Sequence, residues 1–203
     1  SLTLLEDKMS YHFNNSALLK QALTHSSYAN EMRMNKVDNN ERLEFLGDAV
    51  LELITSEYVY LRNIELDEGD LTKLRASIVC EQTLSSCAKD LTLGDFLLLG
   101  KGEDSSGGRG RESILSDTLE AIIGAIYLDG GFTSAKEFIW KNILKNASHK
   151  ELFFDSKTIL QEIIQNNNNK KKIRYKLISE DCPDHNKSFT IALYVGNEKL
   201  GLG

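Results

Sequence analysis

Apolar residues recur at helical spacing from about residue 16 to residue 147, in runs parted by "NEMRMNKVDNN", "NIELDEGD", "LGKGEDSSGGRGRES" and "LDGGF". Runs of that period separated by polar and glycine-rich breakers predict an all-helical part. After "NASHKELFF" the pattern changes. "DSKTILQEIIQ" predicts one short helix with an Asp or Ser cap, while the β-branched and aromatic runs "IRYKLISE" and "SFTIALYVG" predict strands. The chain therefore divides into a helical part over 1–147, a linker over 148–154 and an α-then-β module over 155–203. The asparagine run 166–169 is a low-complexity loop, and no internal repeat is present.

Two of the predicted helices carry unexpected acids. Winding residues 41–61 at about 100° per residue gathers Glu41, Glu44, Asp48 and Glu52 into roughly an 80° stripe. Leu43, Leu46, Val50, Leu53 and Ile54 fall opposite. No Lys or Arg interrupts the stripe, so its carboxylates repel one another by a few tenths of a kcal/mol per pair. A solvated acidic face would account for that helix alone. The segment "SILSDTLEAIIGAIYLDGG" is harder to explain, because Ile114, Leu115, Leu119, Ile122, Ile123, Ile126 and Leu128 leave it no wide polar face. A helix of this kind should be central and buried, yet it carries Asp117 and Glu120. Unpaired buried carboxylates cost several kcal/mol each, so a cationic partner is expected. Two partners fit: a salt bridge to Arg75 or Arg111, or divalent cations shared with Glu44 and Asp48 across a gap.

Composition narrows the choice. The formal charge of −6 excludes a protein that coats nucleic acid by bulk charge, but the charge is uneven. Residues 1–150 hold 16 basic and 23 acidic side chains, whereas residues 151–203 hold 8 and 7. The local basic patch is "NNNNKKKIRYKLI". Cys80, Cys87 and Cys182 are odd in number and form no CxxC pair, so neither a disulfide framework nor a zinc knuckle is expected. The four histidines form neither HExxH nor ExxH. An all-oxygen ligand set suits Mg²⁺ or Mn²⁺, and such sites usually act on phosphates, which points to phosphodiester hydrolysis. No run approaches the roughly 18 apolar residues of a membrane span, and no signal pattern opens the chain, so no membrane partner and a cytoplasmic location are expected.

Two further residues remain open on these grounds. Glu68 in "LDEGD" precedes a predicted helix, where Asp67 or Asp70 would serve the helix dipole equally well. Phe45 falls near the acidic stripe, tucked under a loop or offered to a partner subunit.

"NNERLEFLGDAVL" and "SILSDTLEAIIGAIYLDGGF" together resemble the two acidic helices of bacterial ribonuclease III, a double-stranded-RNA endonuclease. "FNNSALLKQALTHSSYAN" and "GKGEDSSGGRGRESIL" fit the same family in the same order, so the resemblance spans nearly the whole chain. It implies a mainly α protein: an all-helical ribonuclease III endonuclease domain followed by a truncated α-β-β-β-α double-stranded-RNA-binding domain. Metal ligands would be Glu44, Asp48, Asp117 and Glu120, with Asp48 and Glu120 as the active-site pair and Glu41 and Glu68 as supporting acids. Glu52 has no role in the family pattern. Phe45 stands at the position that plugs a pocket of the partner subunit, implying a homodimer. The RNA-binding module would use Gln161, Glu162 and Gln165 of its helix and His185 of "CPDHNKSF". Ile173 replaces a frequent proline. The chain stops at "EKLGLG", where the family continues into a last strand and helix.

The resemblance implies Mg²⁺-dependent hydrolysis of double-stranded RNA to 5'-phosphate and 3'-hydroxyl ends with two-nucleotide 3' overhangs, in processing of ribosomal, transfer and messenger RNA precursors. The alternative is a double-stranded-RNA-binding protein that keeps the fold without cleaving, and a weaker one is a helical protein whose acids are only salt-bridged.

Overall fold

A computed structural model describes residues 2–145, 173–181, 188–196 and 198–202. The chain forms two compact units, Ser1–Phe153 and Phe154–Gly203. In the first, α1 (Leu2–Met9), α2 (Ser16–Ala22) and α3 (Ser26–Glu31) precede the long α4 (Glu41–Arg62). Then follow α5 (Glu68–Val79), α6 (Glu81–Asp90), the short α7 (Lys101–Ser105) and α8 (Glu112–Ile139).

The all-round apolar sequence of α8 has the predicted consequence: Leu119, Ile122, Ile123 and Ile126 are wholly buried, and the other helices pack around them. Leu128 departs from that pattern and is 55% exposed. The breaker "LDGGF" interrupts the run as expected: Gly131 alone leaves helical geometry, at φ 78 and ψ −174, so two helical segments meet at a kink there and the second continues through Ile139. Asp129, just before that interruption, accepts hydrogen bonds from Tyr11 Oη at 2.7 Å and from the backbone N–H groups of Asn14 and Asn15 at 2.9 and 2.8 Å. These bonds tie the approach to α2 to α8.

The buried face of α4 differs from the predicted one. It runs through Leu43, Gly47, Val50, Leu51, Ile54 and Val59, while Leu53 is 59% exposed. Gly47 is the reason. A Cβ there would lie 1.8 Å from the carbonyl oxygen of Glu120, and one on Gly124 would lie 2.2 Å from that of Leu43. The two helices cross backbone to backbone at this glycine pair. The contact rotates the acidic stripe so that it flanks the buried face instead of opposing it.

The second unit contains an antiparallel sheet in the order β1 (Ile173–Asp181), β2 (Ser188–Val195), β3 (Glu198–Leu202). "EKLGLG" is thus not a stop before the last strand, since Glu198–Leu202 is itself that strand. Val195 pairs with Glu198, leaving a two-residue connection, and Gly196 supplies the positive φ of 63 that such a turn favours. The predicted helix "DSKTILQEIIQ" lies outside the described residues.

Candidate active site

The acids of α4 and α8 meet beside the glycine crossing. Glu44, Asp117 and Glu120 each present a carboxylate oxygen, and the three oxygens lie within 4.8 Å of one another. Glu44 sits in the first turn of α4, where the helix dipole favours negative charge. That turn is firmly placed: Asn40 N–H donates to the Thr24 carbonyl at 2.9 Å, and the Gln21 side-chain amide donates to the carbonyls of Val37 and Asn39.

Charge crowding marks the centre. Burial, then Asp48, Asp117 and Glu44, push the Glu120 carboxyl up to about 8. Glu44 is raised by burial, then by Asp117, Glu41 and Asp48. Burial also raises Asp117; a hydrogen bond from Ser116 and the nearby His25 work against that rise, while Glu81 adds to it.

Neither arginine proposed from sequence neutralises these groups. Arg75 pairs with Glu52 at 2.9 Å and donates to Ser56 Oγ at 3.0 Å. Arg111 pairs with Glu103. Among the described residues, Glu44, Asp117 and Glu120 form no salt bridge. Partly buried carboxylates that repel one another and lack a cation fit a hard divalent metal, and an oxygen-only donor set fits Mg²⁺ or Mn²⁺.

Of the other expected residues, Asp48 and Glu41 act on members of this trio. Asp48 is exposed and outside the three-oxygen group, yet it is the largest charged influence on Glu120. Glu41 is exposed and acts on Glu44 from the same turn. Glu52 belongs to the Arg75 pair. Asp67, not Glu68, caps α5 by accepting the Asp70 N–H. Glu68 is exposed, accepts from Thr72 Oγ1 at 3.2 Å, and lines a cavity of about 520 Å³ with Tyr60, Leu71 and Arg75. Phe45 is 81% exposed, so no loop covers it. Gln161, Glu162, Gln165 and His185 lie outside the described residues. Sequence reasoning passed over His25, whose available signal was its place before "SSYAN", as the residue capping α3.

The raised carboxyls give a pH prediction. Between the ordinary value of 4.5 and about 8, folded Glu120 keeps a proton that the unfolded chain gives up. The folded state then binds more protons, so stability without metal is complete below about pH 4.5 and falls as pH rises towards 8. Glu44 and Asp117 act in the same direction. Thermal melts in EDTA should give a lower Tm at pH 8 than at pH 5.5, at roughly 2–4 °C per kcal/mol for a chain of this size. Mg²⁺ should raise Tm more at pH 8 than at pH 5.5. A metal-free Tm that climbs steadily across this range would contradict the assignment.

Residues 15–147 match the family model described as ribonuclease-III-like, and residues 156–203 match the double-stranded RNA binding motif. The chain is 48% identical over 205 residues to ribonuclease 3 of Caldanaerobacter subterraneus subsp. tengcongensis, covering 100% of this chain and 89% of that protein. It is 48% identical over 205 residues to ribonuclease 3 of Enterococcus faecalis, covering 99% and 88%. A solved nuclease domain of ribonuclease III from Campylobacter jejuni aligns with a TM-score of 0.67 at 47% identity, covering 72% of this chain and 98% of that one. That structure concerns flexibility in the region involved in dimer formation of the Campylobacter domain.

Proposed function

The chain belongs to the ribonuclease III family and is a double-stranded-RNA endoribonuclease, and from that premise we propose that Glu44, Asp48, Asp117 and Glu120 hold Mg²⁺ or Mn²⁺ at its catalytic centre. The observation that carries the proposal is the meeting of Glu44, Asp117 and Glu120 within 4.8 Å, with no salt bridge to any of them among the described residues. When bound, such an ion supplies Lewis-acid stabilisation to the phosphoryl group. The chain's own part is to hold mutually repelling carboxylates in place through the α4–α8 crossing. Asp48 and Glu120 are the active-site pair. Glu41 supports Glu44 from the same turn, and Glu68 supports from the start of α5.

Residues 1–147 form the catalytic domain and residues 155–203 the RNA-binding domain, joined by 148–154. Gln161, Glu162, Gln165 and His185 contact the minor groove of the duplex. The products are 5'-phosphate and 3'-hydroxyl ends with two-nucleotide 3' overhangs, and the substrates are ribosomal, transfer and messenger RNA precursors in the cytoplasm. No described helix is long and apolar enough to cross a membrane.

The active form is a homodimer. Phe45, Leu53 and Tyr60 share the outer face of α4 and are 81%, 59% and 69% exposed, an apolar stripe beside the acids that suits a second copy of the chain. Phe45→Glu should weaken dimerisation by roughly 100-fold or more, the scale of a central aromatic anchor. Sedimentation equilibrium checks this, and an unchanged dimer would remove Phe45 from the interface.

Incubation with a long RNA duplex and Mg²⁺ tests the catalytic reading: the duplex should be cut into short double-stranded fragments. Duplex that is bound but left intact at high protein concentration would favour a non-cleaving binding protein.

A further inference from the structure

Where the last turns of α4 face the end of α8, the helical unit holds a cavity of about 200 Å³ that has no task in RNA cleavage. Its apolar lining is Ile54, Tyr58 and Leu61 of α4 with Trp140 and Leu144, which follow α8. Trp140–Leu144 is a π-helical turn, a rare geometry that occurs frequently at functional sites. The cavity is remote from the metal centre: Arg62, which also lines it, follows Glu44 by about five turns of α4, roughly 27 Å along the axis. Winding α4 at about 100° per residue sets Ile54, Tyr58 and Leu61 on the side away from Phe45.

Arg62 is held flat and left unpaired. Its guanidinium lies over two rings at once, with Cζ 5.1 Å from the Tyr58 centroid and 4.9 Å from that of Trp140. Tyr58 and Trp140 pack edge to face with centroids 5.4 Å apart, so the cation rests on a joined ring pair. Stacking occupies the face of a guanidinium and leaves its N–H edges for a planar acceptor. Among the described residues those N–H groups meet no acceptor, and Arg62 forms no salt bridge. Glu57, the carboxylate in the cavity lining, is paired with Lys136. Nor is Arg62 needed to close α4, because the Val59 carbonyl accepts the backbone N–H of Asn63 at 3.1 Å and its side-chain amide at 2.9 Å. One uncompensated positive charge therefore borders an apolar hollow.

We propose that this cavity binds an apolar carboxylate about the size of a leucine residue, the carboxylate on the Arg62 fork and the hydrocarbon part against Ile54, Leu61 and Leu144. A carboxylate matches the planar fork in a way that a neutral oxygen does not. The volume is below the roughly 300–1,000 Å³ of pockets for drug-sized ligands, which sets the size of the apolar part. Such a group is carried by a free small acid or by the C-terminal residue of a peptide chain. This binding goes beyond the endoribonuclease function and does not rest on it.

Trp140 is the chain's one tryptophan, so its fluorescence reports on the cavity directly. Titrated into the full chain, N-acetyl-leucine should change that fluorescence saturably. N-acetyl-leucinamide, which has the same shape without the charge, should bind at least about tenfold more weakly, the scale of one charge-assisted hydrogen bond. Arg62→Gln should lose a similar factor towards N-acetyl-leucine, and Arg62→Lys, which keeps the charge without the fork, should fall between. Equal affinity for acid and amide would overturn the proposal. So would a response to N-acetyl-leucine that never saturates, or an Arg62→Gln affinity within about twofold of wild type. The acid and amide are compared on the unaltered protein, so a destabilised variant cannot decide the outcome. N-acetyl-Ala-Ala-Leu binding about tenfold more tightly than N-acetyl-leucine would assign the cavity to a chain terminus, and equal affinity to the free acid.

Discussion

Glu120→Gln is expected to lower Mg²⁺-dependent cleavage of an RNA duplex by on the order of 10³-fold while making the metal-free protein more stable. The two effects share one cause. Glu120 is pressed upon by burial and by Asp48, Asp117 and Glu44, which lift its carboxyl to about 8. A neutral amide of the same shape removes that repulsion, so Tm in EDTA at pH 8 should rise. The same change takes a ligand oxygen from the group formed with Glu44 and Asp117. A residue kept for packing would lose stability on substitution and leave cleavage nearly intact. Single-turnover cleavage and thermal melts of one preparation check both halves. Cleavage within tenfold of wild type would remove Glu120 from the centre.

Gly47→Ala should be the most damaging small substitution in the helical unit. Its methyl group would be built 1.8 Å from the Glu120 carbonyl oxygen, a backbone atom that cannot swing aside. Alanine gains roughly 1 kcal/mol in helix propensity, but separating two packed helices costs more: overpacking alone is typically about 1–3 kcal/mol, and a backbone clash lies at or above that range. The expected net loss is about 2–3 kcal/mol, or a Tm lower by roughly 4–12 °C. Because the obstructing atom belongs to Glu120, the displacement also parts Glu120 from Glu44. Mn²⁺ affinity should therefore fall together with stability. Melting curves and Mn²⁺ titration would show it, and a variant that melts like wild type would mean the helices do not cross at Gly47.

These predictions depend on a contact that hydrophobic periodicity could not reveal. The pattern along α4 and α8 was enough to predict two helices, one amphipathic and one buried, and the acids on them stood out because α8 had no solvated face for Asp117 and Glu120. Periodicity weighed Leu53 as core because it is apolar and gave Gly47 no weight. In the structure Gly47 is buried and Leu53 is exposed, since a missing side chain lets the helices approach where a large one could not. The family resemblance covered the acids, the order of the segments and the appended module. It did not separate Asp48 from the inner group of three oxygens, because membership depends on the rotation of α4 about its axis. Nor did sequence distinguish β3 from a chain terminus, as "EKLGLG" has too few β-branched or aromatic residues to read as a strand until Gly196 turns it back against β2. His25 was invisible for a different reason: its position depends on bonds to Ser27 and, through that hydroxyl, to Gly100. Such long-range ties leave no period.

A crystal structure of the protein grown with Mg²⁺ decides whether the carboxylates at the α4–α8 crossing form a metal centre. The expected result is an ion with carboxylate oxygens of Glu44, Asp117 and Glu120 at about 2.0–2.1 Å and the remaining positions filled by water or Asp48. A Mg²⁺ bound elsewhere, with these three carboxylates protonated or paired with lysine or arginine, would contradict it.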